Sequence, residues 1–540
     1  MRGSSYAISS RKPQATQIGE RVLRSGGNAF DAAVAAFAGL VVTDPAMTGL
    51  GGDAFVLVYD AAQKKVLSIN AGGTAPGLAT IEWFEQHAGG KIPVNDGLLA
   101  ASLPGAFDAC YIMLDRWGTM TFGELLAPAI ELARTGFPVS EYFADYVTEF
   151  AAKLRKYPTT ERIYSHLGPG SLLRNPDLAR TMQALVDAEQ RGGLEAARDE
   201  FYRGDIGRAM AAFCEQNGSL YRYEDFANYR AKVEEPAALN YRGFDVYKNP
   251  SATQGPTELF LLNVLTGYDL KALGHNTADY IHTCVEAAKL AYADRERYLG
   301  DMDFIDIPFE RLLSKEYAAE RRALIDPRSA SSELRPGEAN LAGAADHHGD
   351  TSYVAVVDKH GNAVSFTPSL HSAFGTGVVM GDLGLILNCR GDYYELDPQH
   401  PNSLVPGKRA RSTLAPTIVM KDGELAMVLG SPGGDDQPLR IAQTLLNVVD
   451  FGMNIQEAIE APRWTTTSFP ASEFPHTMYP GQMAVEGRIP ERVRSELEKR
   501  GHKVEVEGGW TLGATSAIVV DQGVLSAGAD PRGDGYALAW

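Results

Sequence analysis

The sequence predicts an α+β layered sandwich. Strand pairs lie near both ends of the chain, a long helical stretch separates them, and the first strand pair reads as a hairpin and not as a βαβ unit. In order along the chain, Asp31 to Val42 is dominated by Ala and Val and reads as a helix buried all round, capped by Gly26-Gly27-Asn28. A glycine cluster follows, Gly49-Leu50-Gly51-Gly52-Asp53, and then the strands Ala54 to Tyr59 and Val66 to Ile69. Residues 105–235 are mostly helical, broken at Gly136-Phe137-Pro138 and Gly168-Pro169-Gly170. A helix from Thr277 to Tyr298 places Ile281, Val285, Ala288 and Tyr292 on one face. Residues 328–350 lack apolar periodicity and read as a surface linker open to movement or cleavage. After the linker, strands are expected to dominate to about residue 430, followed by helices at 438–450 and 490–500 and the strands Ala517 to Val520 and Val524 to Ser526. There is no short-period repeat and no low-complexity tract.

The 540 residues allow one large domain or two to four ordinary ones. Lys plus Arg is 50 and Asp plus Glu is 68, a net charge of −18, which argues against a nucleic-acid or anionic-membrane surface while leaving room for a local basic pocket. Cys110, Cys214, Cys284 and Cys389 are scattered with no Cys-x-x-Cys, so neither a zinc ribbon nor a disulfide framework is expected. The first residues show no apolar leader segment, and the longest apolar run, Ala32 to Val42, is about half a membrane span. A cytoplasmic protein is expected, or a periplasmic one if a leader has been removed.

Chemistry is concentrated in the last third. Gly349-Asp350-Thr351-Ser352-Tyr353 runs into a β-branched strand, a His360-Gly361-Asn362 turn and a second strand, Ala363 to Thr367. A threonine at a strand start becomes a nucleophile if the chain is cut before it, because the new α-amine, with pKa about 7.7–8.0, is then its base. Cutting Asp350–Thr351 requires Thr351 to attack the preceding carbonyl, after which the ester hydrolyses. Read in isolation the segment is just a strand. Gly430-Ser431-Pro432-Gly433-Gly434 follows an apolar run and precedes a helix. Its N–H groups can converge on an oxyanion, or it is a tight strand-to-helix turn. The Gly49 cluster lies between a helix and a strand, the reverse of the order phosphate loops need, so its glycines read as structural. Asp346-His347-His348-Gly349-Asp350 reads as solvated linker, since adjacent histidines on an extended chain point apart and no His-Glu-x-x-His is present. Lys408-Arg409-Ala410-Arg411-Ser412-Thr413 is either a clamp for a substrate carboxylate or a solvated charge run.

Taken together these segments resemble the γ-glutamyltranspeptidase family of N-terminal-nucleophile hydrolases. The resemblance runs from about residue 14 to the end. It rests on Gly26-Gly27-Asn28-Ala29-Phe30-Asp31-Ala32-Ala33, Thr48 to Phe55, Leu103-Pro104-Gly105-Ala106, Phe201-Tyr202-Arg203-Gly204, Tyr292-Ala293-Asp294-Arg295 and Tyr298-Leu299-Gly300-Asp301. The most specific matches are Thr351, Phe374-Gly375-Thr376-Gly377, Leu387-Asn388, Ser412-Thr413, Gly430 to Gly434, Ala461-Pro462-Arg463 and Asp530-Pro531-Arg532. The resemblance implies a four-layer αββα sandwich, made as one precursor and cleaved into two intertwined subunits, 1–350 and 351–540. It implies Thr351 as nucleophile, Ser369 where relatives have a threonine bonded to the nucleophile, Gly433 and Gly434 as the oxyanion hole, and Ser412 and Thr413 at the substrate carboxylate. No metal or organic cofactor is implied. The implied partners are a small amide substrate and a water, amino-acid or peptide acceptor.

The departures concern the substrate. An arginine that pairs with the α-carboxylate in relatives falls on Ile81, and His371, Arg390 and Tyr393 stand where an Asn, a Gln and an Asp usually hold the glutamyl group. Asp392, if on a strand, points away, and the segment between Tyr394 and Lys408 is short where some relatives carry a lid, leaving an open site. Three readings follow. The first is a γ-glutamyltransferase or glutathione hydrolase. The second is an amidohydrolase or acylase for a carboxylated amide without the α-amine, of the oxamate or glutaryl-amide kind. The third is a processed but non-catalytic scaffold.

Overall fold

The computed structural model describes residues 1–337 and 351–540. Asp350 and the His347-His348 pair lie outside the described residues. Two seven-stranded antiparallel sheets lie at the centre. One runs, in order, Arg2–Gly3, Val524–Ala529, Ser516–Asp521, Glu424–Gly430, Thr417–Lys421, Phe244–Lys248 and Ala237–Tyr241. The other runs Tyr536–Ala539, Ala7–Ser10, Val354–Val357, Ala363–Ser369, Asp53–Asp60, Lys65–Ala71 and Lys232–Glu234. Both sheets mix strands from before and after residue 350.

The period-two alternation of the strands explains the layers. Ala355, Val357, Ala363, Leu57 and Tyr59 point inward and meet Ile418, Met420, Val428 and Ile518 of the other sheet. The intervening Val354, Val356, Val364 and Phe366 point outward into a cluster with the helix Ala29–Thr43 and its neighbours. On the far side Val419, Met427 and Leu429 pack against the helices Pro256–Leu265, Ala278–Tyr298 and Gln437–Val449. The order is therefore helix, sheet, sheet, helix. Every residue of Ala29–Thr43 is buried, as its composition requires, and Asn28 caps it by accepting from the N–H groups of Phe30 and Asp31.

One expectation fails. Residues 370–416 are irregular, with short 3-10 turns at Gly381–Leu383 and Arg390–Tyr393. Their backbone is tied to remote loops instead of to a ladder: Asn388 N–H donates to Gly51 O, Gly391 N–H to Ala100 O and Ser102 N–H to Asn388 O. Among the described residues no helix is long and apolar enough to cross a membrane.

Candidate active site

Strand register builds the site. Val354 pairs with Phe366 and Ser369 with Asp53, so continuing the ladder places Thr351, Ser369 and Asp53 in one row on adjacent strands. Cross-strand neighbours share a face. Tyr353, Ala355 and Leu57 show that this face looks between the sheets. Thr351 Oγ1 and Ser369 Oγ are 3.2 Å apart, and Ser369 Oγ accepts from His371 N–H at 2.8 Å. Both hydroxyls are buried. Arg11 follows the strand Ala7–Ser10, the other neighbour of Val354–Val357, and its Nη1 donates to the Thr351 carbonyl at 3.3 Å. Its Nε sits 3.2 Å from Asp44 Oδ2, and Asp44 also accepts from Ser352 Oγ.

Beside this row Asp53 pairs with Arg390, Nε to Oδ2 at 2.6 Å, both fully buried. Arg390 Nη1 donates to Thr413 Oγ1, which also bonds the Tyr393 hydroxyl, each at 3.2 Å. The expected group Arg390, Tyr393 and Thr413 thus comes together, but the Arg390 charge already has a carboxylate partner, and one nitrogen, Nη2, has no bond. Burial works to lower the Arg390 pKa; Asp53 and Tyr393 more than offset it, so the guanidinium stays charged. Ser412 is buried, and its Oγ accepts from Leu414 N–H.

His371 lies over the edge of Tyr393, with ring centroids 4.3 Å apart. Burial, then the Arg390 and Lys153 charges, hold its imidazole well below the ordinary range, so it is neutral. Asp392 does not point away. The turn Arg390–Tyr393 is not a strand, and Asp392 Oδ1 stands 3.6 Å from His371 Nε2 while Oδ2 accepts from Asn95 N–H. Burial, then Glu473, push the Asp392 carboxyl well above its usual range. His371, Cys389 and Asp392 lie close enough for a metal, but Nδ1 of His371 already faces Cys389 Sγ at 3.1 Å, and the adjoining Arg390 and Lys153 charges oppose a dication.

Gly433 and Gly434, with φ of 98° and 54°, follow the strand Glu424–Gly430 of the facing sheet. Glycine is required here because a side chain at either φ is strained, and a Cβ at Gly433 would strike the Arg440 guanidinium. They line a cavity of about 640 Å³ together with Arg11, Tyr393, Ser372, Asn95, Lys153 and Glu473. Asp435, next in sequence, is held by Arg295, Ser472 N–H and Ser472 Oγ, and its carbonyl accepts from the Tyr292 hydroxyl. The motif Tyr292 to Arg295 therefore braces the glycine loop.

Two other expectations change. The tract Lys408 to Arg411 is neither a solvated run nor a substrate clamp: Lys408 Nζ donates to Pro401 O, Arg409 to Arg230 O and Arg411 to Glu296, all buried. Ile81 opens the helix Ile81–His87 and packs beside Phe84 and Tyr394, away from the cavity lining. The sequence reading missed Arg11, Asn95, Lys153, Arg440 and Glu473. For Arg11, its place directly after a strand was the available signal.

Comparison with known proteins identifies the family. Residues 15–540 match the family described as Gamma-glutamyltranspeptidase. The chain belongs to the γ-glutamyltranspeptidase family. It is 36% identical over 543 residues to the "Glutathione hydrolase-like YwrD proenzyme" of Bacillus subtilis (strain 168), covering 99% of this chain and 98% of that one. It is 35% identical over 559 residues to the "Acylase ACY 1 proenzyme" of Pseudomonas sp. (strain SE83), covering 99% and 94%. The solved cephalosporin acylase from Bacillus halodurans superposes with a TM-score of 0.90 at 32% identity, covering 100% of this chain and 96% of that one. The four layers are thus the αββα sandwich of the N-terminal-nucleophile type that this family shares.

Proposed function

We propose that this γ-glutamyltranspeptidase-family chain is a precursor that cuts itself before Thr351 into pieces 1–350 and 351–540. The product works as an amide hydrolase and acyltransferase of the γ-glutamyltransferase or glutathione hydrolase type. The observation that carries the reading is the Thr351 hydroxyl just before the strand Val354–Val357, within reach of Ser369, with the cavity-lining Arg11 bonded to the Thr351 carbonyl. In the cleaved enzyme Thr351 Oγ attacks the substrate carbonyl and its proton passes to the Thr351 α-amine. Gly433 and Gly434 N–H groups receive the oxyanion. Collapse expels the amine, which takes the proton from the α-ammonium and leaves an ester on Thr351. Water, or an amino-acid or peptide amine, then takes the acyl group by the reverse proton transfers. Ser369 orients the nucleophile, and Arg390, Tyr393, Ser412 and Thr413 hold the acyl end beside it. No step calls on a metal or cofactor, and no nucleic acid or membrane is a partner.

A second reading is favoured by one observation. Burial, then Glu473, push the Asp392 carboxyl up, and burial, then Arg390 and Lys153, hold the His371 imidazole down, so the pair beside Tyr393 is a weak counter-charge for an α-ammonium. That supports a carboxylated donor without the amine, of the glutaryl-amide kind. The four cysteines are free and buried, which supports a cytoplasmic setting. The test is N-terminal sequencing of the smaller piece together with hydrolysis of γ-glutamyl- and glutaryl-p-nitroanilide. A small piece beginning Thr-Ser-Tyr-Val and amine release lost in Thr351→Ala are expected. An uncleaved chain, or a cleaved one inert on both amides, is the scaffold outcome and ends the proposal. The preferred amide decides between the two donors.

A further inference from the structure

We infer that Arg440 is the positioning residue of the oxyanion hole. The inference rests on the reading of Gly433 and Gly434 given above and goes on to what aims their N–H groups. Arg440 lies in the first turn of the helix Gln437–Val449, and its side chain folds back over the loop before the helix. Nη1 donates to Pro432 O at 2.8 Å and to Gly433 O at 3.2 Å. In a trans peptide the C=O and the following N–H point in opposite directions. The Pro432 carbonyl belongs to the same peptide plane as Gly433 N–H, and the Gly433 carbonyl to the same plane as Gly434 N–H. One guanidinium nitrogen holding both carbonyls therefore turns both N–H groups away from itself. With both peptide planes held, the directions of both N–H groups are fixed as well.

Other observations agree. A guanidinium in the first turn of a helix opposes the helix dipole, so this placement needs a compensating partner. Asp436 supplies it, Oδ2 to Nη2 at 2.9 Å, and is itself fixed by Thr465 Oγ1 at 2.6 Å. The guanidinium lies between two glycines with positive φ, Gly433 and Gly513, and a Cβ on either would strike it. It also lines the cavity. The left-handed backbone of Gly433, the bare Gly513 and the Asp436–Thr465 pair thus all fit one guanidinium position.

The test uses the full chain with Arg440→Ala, Arg440→Lys, Asp436→Asn and Thr351→Ala. Self-cleavage is followed by denaturing electrophoresis, and acylation by the pre-steady-state release of p-nitroaniline. Arg440→Ala is expected to slow acylation about 10²-fold, the scale of losing an oxyanion-hole donor, with KM changed less than about threefold. It is also expected to slow self-cleavage, whose oxyanion forms at the same threonine. Guanidinium ion at sub-denaturing concentration should restore part of the rate to Arg440→Ala and nothing to Thr351→Ala. Arg440→Lys keeps the charge but reaches fewer acceptors and should fall between. Asp436→Asn should show a smaller loss of kcat. Arg440→Ala that self-cleaves and acylates within threefold of the parent overturns this inference and leaves the nucleophile assignment standing. A loss carried by KM alone also overturns it. An active Thr351→Ala overturns the underlying reading instead.

Discussion

Replacing Ser369 by alanine isolates one contact of the proposed nucleophile, Thr351. Ser369 Oγ stands 3.2 Å from Thr351 Oγ1 and 2.8 Å from His371 N–H. All three residues are buried, so no bulk water replaces the lost partner. The His371 N–H is left without this acceptor, at a cost of about 1–3 kcal/mol of stability. His371 also carries a φ of 81°, which a non-glycine residue holds only when its surroundings fix it. The rate effect follows from the other contact. One neutral hydrogen bond that orients the attacking hydroxyl is worth about 1–1.5 kcal/mol, or roughly tenfold in rate at 1.36 kcal/mol per decade. Ser369→Ala is thus expected to lower kcat about tenfold or more, while Ser369→Thr, which keeps the hydroxyl, stays near the parent. The assay is steady-state amine release on protein confirmed as two pieces, with a urea midpoint on the same samples. Ser369→Ala turning over within twofold of the parent, with the parent midpoint, would refute the reasoning.

Three further outcomes are expected. Arg11→Ala breaks a buried pair with Asp44 and frees the Thr351 carbonyl, so the unfolding free energy from urea titrations should fall, by less than the roughly 3–5 kcal/mol of a lone broken pair because Lys12 Nζ stays 3.9 Å from Asp44 Oδ1, and self-cleavage should slow. His502 and His400 are pushed down to about 3 and about 4, chiefly by burial. The unfolded chain therefore binds more protons below pH 6.5, and stability present at pH 7 is lost as pH falls toward 4, by at most about 1.4 kcal/mol per pH unit per group; His502→Gln should flatten that slope in urea titrations at pH 7, 5.5 and 4.5. Glu473 lines the cavity with Glu149, Asp435 and Asp436, accepts from Asn95 Nδ2 at 3.1 Å, and is one carboxylate open to an α-ammonium. Glu473→Gln should raise KM about tenfold for γ-glutamyl-p-nitroanilide if the donor carries the amine, and should leave KM for the glutaryl compound unchanged.

The layers were legible because composition marks their elements. The all-round apolar helix Ala29–Thr43 and the all-apolar, largely β-branched run Val354–Val357 each read as a buried element. The row Thr351, Ser369 and Asp53 was half legible: a resemblance named two of its members, but register was needed to add Asp53 and with it the partner of Arg390. Residues 370–416 were misread because their backbone bonds go to loops hundreds of residues away, such as Gly51 and Ala100, which no local pattern announces. The basic tract was misread for the same reason, since Arg411 finds Glu296 only in the folded chain. Asp392 was assigned a strand's alternation, and a 3-10 turn rotates successive side chains differently.

The placement of Val354–Val357 between Ala7–Ser10 and Ala363–Ser369 sets a timetable. Val354 meets Ser10 only after the first and last thirds of the chain have come together, and Arg11 reaches the threonine by that same event. If the chain is cut before Thr351 as proposed, scission acts as a proofreading step. A copy that has not knitted its ends cannot arm itself, and once armed, its halves can part only by tearing both sheets.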